Sequence, residues 1–63
     1  MNTIVSPLLR LPAVMKITGL SRSTIYLLMI DGSFPRQLKL SKRAVAWQES
    51  EIQAWVASRS RVR

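Results

Sequence analysis

The sequence predicts a small, mostly α-helical domain with one β-hairpin, in the order helix, turn, helix, hairpin, helix. Three observations predict it. The stretch from Leu11 to Tyr26 reads as two short helices hinged at Gly19. From Arg36 to Trp47, two stretches of weak period-two alternation flank the polar, basic link Ser41-Lys42-Arg43. Ile52, Trp55 and Val56 then form an apolar stripe at helical spacing. Together these make a compact winged helix-turn-helix.

Each element has a local reason. Residues 1–7 show no hydrophobic period and read as a loose arm, with the domain proper over 8–59 and a basic tail over 60–63. Leu8 to Leu11 is a short apolar segment suited to lying extended against the body. Pro12 suits a first helical position, where its missing N–H would be unpaired in any case. Val14 and Ile17, with Leu20 beyond them, mark the core face of that helix. Gly19 ends it by supplying a left-handed conformation. Ser21 is placed to cap the second helix by accepting from the N–H of Ser23 or Thr24. Ile25, Leu28 and Met29 form its inward stripe.

Asp31-Gly32 closes the second helix, and Phe34-Pro35 starts an extended segment. Leu38 and Leu40 share one face of the first hairpin strand, and Val45 and Trp47 repeat the period in the second. Lys42 and Arg43 fall near the tip of this wing. Ser50 and Gln53 are spaced as a capping box for the third helix, although a start at Glu49 suits the helix dipole equally well. Ile52, Trp55 and Val56 are its expected buried stripe. Trp47 and Trp55 read as core rather than as stacking platforms, because so small a domain needs their buried area. Beyond Ser58, serine and arginine alternate with little apolar support.

Composition narrows the function. Sixty-three residues allow one domain, near the lower limit for folding without disulfides or metal. The chain has no cysteine and no histidine, and its acids are Asp31, Glu49 and Glu51. A zinc site and a nucleophile–base pair are both out of reach of such a set. No enzyme activity, cofactor, metal or small-molecule ligand is therefore expected. Ten Lys and Arg against three acids give a net charge of +7, for which a polyanion is the natural counterpart. The apolar run Leu27 to Ile30 is far short of the roughly twenty residues a membrane span needs. Nor does the N-terminus show the basic start and long apolar centre of a signal peptide. The expectation is a cytoplasmic protein with no membrane partner.

The chemistry concentrates at the start of the second helix. There Arg22 can fork onto guanine O6 and N7, and hydroxyls can reach phosphates or base edges. Hinge and basicity together favour contact over simple solvation for Arg22. Ser23 and Thr24 remain open between capping and contact. Tyr26, one turn on, is open between a phosphate contact and packing. Lys42 and Arg43 suit phosphate or minor-groove contacts from the wing. Lys16 and Arg36 are generic phosphate candidates. Leu27 and Ile30 fall on the outer side of the second helix. They are open between thymine methyls, a neighbouring protomer and an extension of the core.

These stretches resemble a known family. Arg10-Leu11-Pro12, Thr18-Gly19-Leu20-Ser21-Arg22-Ser23-Thr24-Ile25-Tyr26 and Gly32-Ser33-Phe34-Pro35 are similar to the AlpA-type phage and prophage regulators. So are Arg43-Ala44-Val45-Ala46-Trp47, Glu49-Ser50-Glu51-Ile52 and Ala54-Trp55. That family is related to the small excisionases and to the MerR-like winged-helix domain, and the likeness runs from about Arg10 to Arg59. It implies transcriptional control at prophage or mobile-element promoters, in some members with an architectural role in excision. Contacts from Arg22, Ser23, Thr24 and Tyr26, and from Lys42 and Arg43 in the wing, are implied with it. Leu27 and Ile30 depart from the family pattern, which places basic or polar residues there.

The expected function is sequence-specific binding of double-stranded DNA, with self-association on DNA as an added feature. A different class is a protein-interaction module, an anti-repressor or adaptor using the Leu27/Ile30 face. Salt separates the two, since DNA binding weakens steeply with salt and an apolar protein contact does not. An RNA binder using the basic tail is a third reading. It lacks the exposed aromatics that single-strand recognition uses.

Overall fold

The computed structural model describes residues 7–62. The expected arm, apart from Pro7, and Arg63 of the expected tail lie outside the described residues. Three helices and a three-stranded antiparallel sheet follow one another as β1 (Leu8–Leu9), α1 (Leu11–Thr18), α2 (Arg22–Asp31), β2 (Leu38–Ser41), β3 (Ala44–Gln48) and α3 (Glu49–Ala57). This is the winged helix-turn-helix expected, with one strand added. The apolar segment after the arm does not stay extended as far as Leu11. Leu8 and Leu9 pair with Gln48 and Trp47 of β3, and Leu11 already opens α1. The sheet order is β1-β3-β2, so β3 carries a partner on each edge.

Helix ends follow local chemistry. The Arg10 carbonyl accepts from Ala13 and Val14 N–H at 3.0 and 3.1 Å, which places Pro12 second in the helix rather than first. Either position suits proline, because neither N–H has an intrahelical partner. Gly19, at φ 75°, donates to the Met15 carbonyl at 2.8 Å and ends α1 in the left-handed conformation. Gly32, at φ 80°, ends α2 in a Schellman arrangement in which Ser33 N–H returns to the Leu28 carbonyl at 2.9 Å. The Ser50/Gln53 capping box does not form. β3 runs directly into α3 with Gln48 as N-cap, and Glu49 N–H donates to the Pro7 carbonyl at 2.8 Å. Glu49 and Glu51 then occupy the first turn, at the positive end of the helix dipole.

The core is one cluster of Val14, Ile25, Phe34, Trp47 and Ile52, with Leu9, Leu11, Met15, Leu20, Leu28, Met29 and Trp55 packed around it. Adjacent strand residues point to opposite faces, and Ala46 and Trp47 are both fully buried, so β3 is covered on both sides. Trp47 lies inside with its indole N–H donating to the Pro35 carbonyl at 3.1 Å, which removes the cost of burying that group.

Several expected faces differ. Ile17 and Val56 stay outside the core, each more than a third exposed, because α1 docks through Leu11, Val14 and Met15 and α3 through Ile52 and Trp55. Leu38 and Leu40 do not point into the core: every residue of β2 is exposed. Leu38 sits opposite Ala46, and Lys39 opposite Val45, so the two leucines do not share the face of Val45 and Trp47. Trp55 is half-buried rather than enclosed. Its indole N–H donates to the Ser33 carbonyl at 2.6 Å, and its ring meets Phe34 edge-on at 4.8 Å. The Arg59 guanidinium lies 4.4 Å above it. Among the described residues no single helix is long and apolar enough to cross a membrane.

The two tryptophans therefore differ in weight. Trp47→Ala is expected to cost about 3–5 kcal/mol, comparable with the whole stability of so small a core, and to leave the chain largely unfolded. Trp55→Ala, with less burial to lose, is expected to melt earlier yet remain folded. Thermal melts followed by circular dichroism check both. Equal losses would place Trp55 in the core on the same footing as Trp47.

Candidate nucleic-acid interface

α1 and α2 meet at 89° across the Gly19-Leu20-Ser21 turn, close to the helix-turn-helix range of about 90–120°. The turn is fixed by side chains as well as by Gly19. Thr18 Oγ1 donates to the Val14 carbonyl at 2.8 Å and accepts from Leu20 N–H at 3.2 Å, tying the end of α1 to the turn. Thr18 was not singled out from the sequence. A threonine just before the helix-ending glycine is the signal for such a local bond.

Ser21 caps α2. Its Oγ accepts from Thr24 N–H at 3.2 Å and donates to the Thr24 hydroxyl at 2.9 Å. This engages Thr24, which is half-buried, in the cap. Arg22 and Ser23 stand exposed just outside it, and neither side chain has a hydrogen-bond partner among the described residues. An arginine fork and a hydroxyl are thus offered to solvent at a helix start, where unpaired backbone N–H groups favour an anion. Ile25 is fully buried and anchors this turn to the core. Tyr26 is half-buried, and its hydroxyl reaches Gln37 Oε1 only at 3.5 Å, a long contact that leaves the phenol available.

Further along α2, Leu27 is 65% and Ile30 84% exposed. Neither extends the core. Helical spacing aligns them with Ser23 at i, i+4 and i+7, so hydroxyl and aliphatic groups share the outer side of one helix. Asp31 ends α2, its carboxylate accepting from the Ser33 hydroxyl at 2.8 Å.

The hairpin turn consists of Lys42 and Arg43, both exposed. Among the described residues no non-glycine has a positive φ, so this two-residue link cannot adopt the primed turns that match strand twist. The ladder compensates with an irregularity: Leu38 and Lys39 pair with Ala46 and Val45, then Ser41 pairs with Ala44 and Leu40 is the extra residue. Lys39 adds a third exposed cation to the hairpin that the sequence reading did not select. Lys16 and Arg36 are also exposed.

Two open grooves mark the surface. One of about 360 Å³ runs beside α2, lined by Tyr26, Met29, Ile30, Arg36 and Gln37. A larger one, about 520 Å³, lies between the Gly32–Pro35 turn and α3, over Phe34 and Trp55. None of the candidate contact residues lines the larger groove.

Comparison with known proteins gives three findings. The family described as prophage CP4-57 regulatory protein (AlpA) matches residues 7–60. An uncharacterized protein of Enterobacteria phage P4, ORF88, is 55% identical over 51 residues, covering 81% of this chain. The chain spans 58% of the length of that phage protein. The DNA-binding transcriptional activator AlpA of Escherichia coli (strain K12) is 38% identical over 61 residues, covering 87% of each chain.

The cap and the exposed residues beside it separate in a stability measurement. Ser21→Ala removes the acceptor for Thr24 N–H and is expected to cost about 1 kcal/mol. Ser23→Ala is expected to change stability by no more than about 0.5 kcal/mol. A loss at Ser23 matching that at Ser21 would mean that Ser23 serves the cap.

Proposed function

Because the chain belongs to the AlpA family of prophage regulatory proteins, we propose that it is a sequence-specific regulator that binds double-stranded DNA and controls transcription from a prophage or mobile element. The observation that carries this reading is the first turn of α2, where Arg22 and Ser23 stand exposed beside a cap that holds them on a rigid helix. The 89° crossing of α1 and α2 supports it, since the second helix of such a pair lies in the major groove while the first crosses the backbone. So does the charge of +7, which duplex DNA neutralises. The name of the Escherichia coli relative, a DNA-binding transcriptional activator, agrees with it.

In this mechanism Arg22 reads a base edge, and Ser23 and Tyr26 reach base edges or phosphates. Thr24 acts through the cap, its hydroxyl accepting from Ser21 Oγ at 2.9 Å, and its own proton is left for a phosphate or base edge. Lys42 and Arg43 bring the hairpin turn to a flanking phosphate or the minor groove. The output is occupation of a short site, with promoter recruitment, occlusion or excisionase-like bending as its consequence. No catalysis is involved, no cofactor is needed, and the working compartment is the bacterial cytoplasm.

Arg22→Ala is expected to weaken binding to the preferred site by about 1–3 kcal/mol and to flatten base preference at one position. Its melting temperature should stay unchanged, because the side chain is exposed. Equal losses on specific and random duplexes would assign Arg22 to a phosphate instead.

Lys42→Ala together with Arg43→Ala is expected to weaken binding to every sequence and to reduce the salt slope by up to about two. Fluorescence anisotropy across a salt series measures both quantities. Unchanged affinity and slope at low salt would remove the hairpin from the interface.

A further inference from the structure

We propose that Leu27 and Ile30 read thymine methyl groups, so that the outer side of α2 selects its DNA partly by apolar contact. This rests on the DNA-binding reading above and names the base feature that this chain takes up. Leu27 and Ile30 are 65% and 84% exposed, on a helix whose inward residue, Ile25, is fully buried. Both are large aliphatic groups with no hydrogen-bonding capacity. In the major groove the thymine C5 methyl is the apolar base-edge feature that complements such side chains.

Their placement fits that partner. Ser23, Leu27 and Ile30 lie in one line along α2, and seven residues of helix rise about 10 Å. That matches the roughly 12 Å width of the major groove. The same stripe begins beside Arg22, so a helix seated to bring the guanidinium to a base edge carries the two aliphatic groups with it. Asp31, the acid of α2, comes after the stripe, and its carboxylate is engaged by the Ser33 hydroxyl.

A second copy of the chain fits this patch less well. Two side chains are far from the roughly 800 Å² that a stable dimer buries on each partner. Joining two copies through the patch would also bring together chains of net charge +7, with Arg22 and Arg36 nearby. DNA supplies the opposite sign of charge and the apolar methyl at the same place.

The test uses a duplex selected by the full chain from a randomised library. Each thymidine is then replaced in turn by deoxyuridine, which lacks the C5 methyl and keeps every hydrogen-bonding group. The expected result is a loss of about fourfold in affinity per contacted methyl, at one or two positions of the site. The Leu27→Gln/Ile30→Gln variant is expected to melt like the wild type and to bind thymidine and deoxyuridine duplexes equally.

Selective binding by the wild type that ignores every deoxyuridine would overturn the proposal while leaving the DNA reading intact. Full methyl sensitivity retained in the double variant would overturn it as well, by giving the methyl contact to another residue. A variant that loses only cooperative filling of adjacent sites, with no methyl effect in the wild type, would replace it with a contact between protomers. If selection returns no preferred sequence and binding does not weaken with salt, the DNA-binding reading itself fails. If the double variant does not fold, the single Leu27→Gln and Ile30→Gln variants carry the comparison: each is expected to lose methyl sensitivity at one position, and full sensitivity retained in both would overturn the proposal.

Discussion

The three helices and β3 of this small domain meet at a single cluster that holds the fully buried Trp47. Val14 comes from α1, Ile25 from α2, Phe34 from the loop after it, Trp47 from β3 and Ile52 from α3. With one core residue from each, no element has a second fully buried anchor in that cluster to fall back on. The Trp47 indole N–H, bonded to the Pro35 carbonyl, also fixes where the chain leaves α2. β3 is paired on both edges, so the strand holding Trp47 is the one held by the most neighbours. The orientation of α2 is therefore set from inside through Ile25 and from its far end through Phe34.

That economy leaves much of α2 free. Ile25 is its fully buried residue, while Leu28 and Met29 pack at the margin of the cluster. The first turn divides its work between adjacent residues: Ser21 and Thr24 satisfy the helix end, and Arg22 and Ser23 point outward. The cap thus leaves the Ser23 hydroxyl without a partner among the described residues. A net positive chain with an exposed arginine at a helix start is suited to a polyanion that also presents base edges. The proposed function rests on that division of roles, and membership of the AlpA family agrees with it.

The elements written in local chemistry were legible in the sequence. Gly19 and Gly32 end helices because each takes a positive φ, and Ser21 caps α2 because its hydroxyl reaches a backbone N–H three residues on. Lys42 and Arg43 form the turn because the apolar alternation breaks there. What depended on distant partners was not legible. Leu8 and Leu9 become a strand only because β3 offers an edge nearly forty positions later. The leucines of β2 stay partly exposed because the ladder sets them opposite Ala46 and the irregular turn, and period two alone does not choose a face. Phe34 lies in a loop without periodicity, so nothing local marks it as core. Ser50 and Gln53 match a capping box that the direct passage from β3 into α3 makes unnecessary. At the candidate site, Arg22 and Ser23 stand where the helix start suggested. Thr24 also enters the cap, its hydroxyl accepting from Ser21 Oγ while keeping its own proton to donate.

The most direct test of the account is a titration of the isotopically labelled chain with duplex DNA, followed residue by residue by NMR. The expected result is that backbone amide shifts concentrate over residues 21–30 and 41–44, weaken together as salt is raised, and leave Phe34 and Trp55 little changed. Shifts concentrated along the groove over Phe34 and Trp55, with the first turn of α2 unmoved, would contradict it.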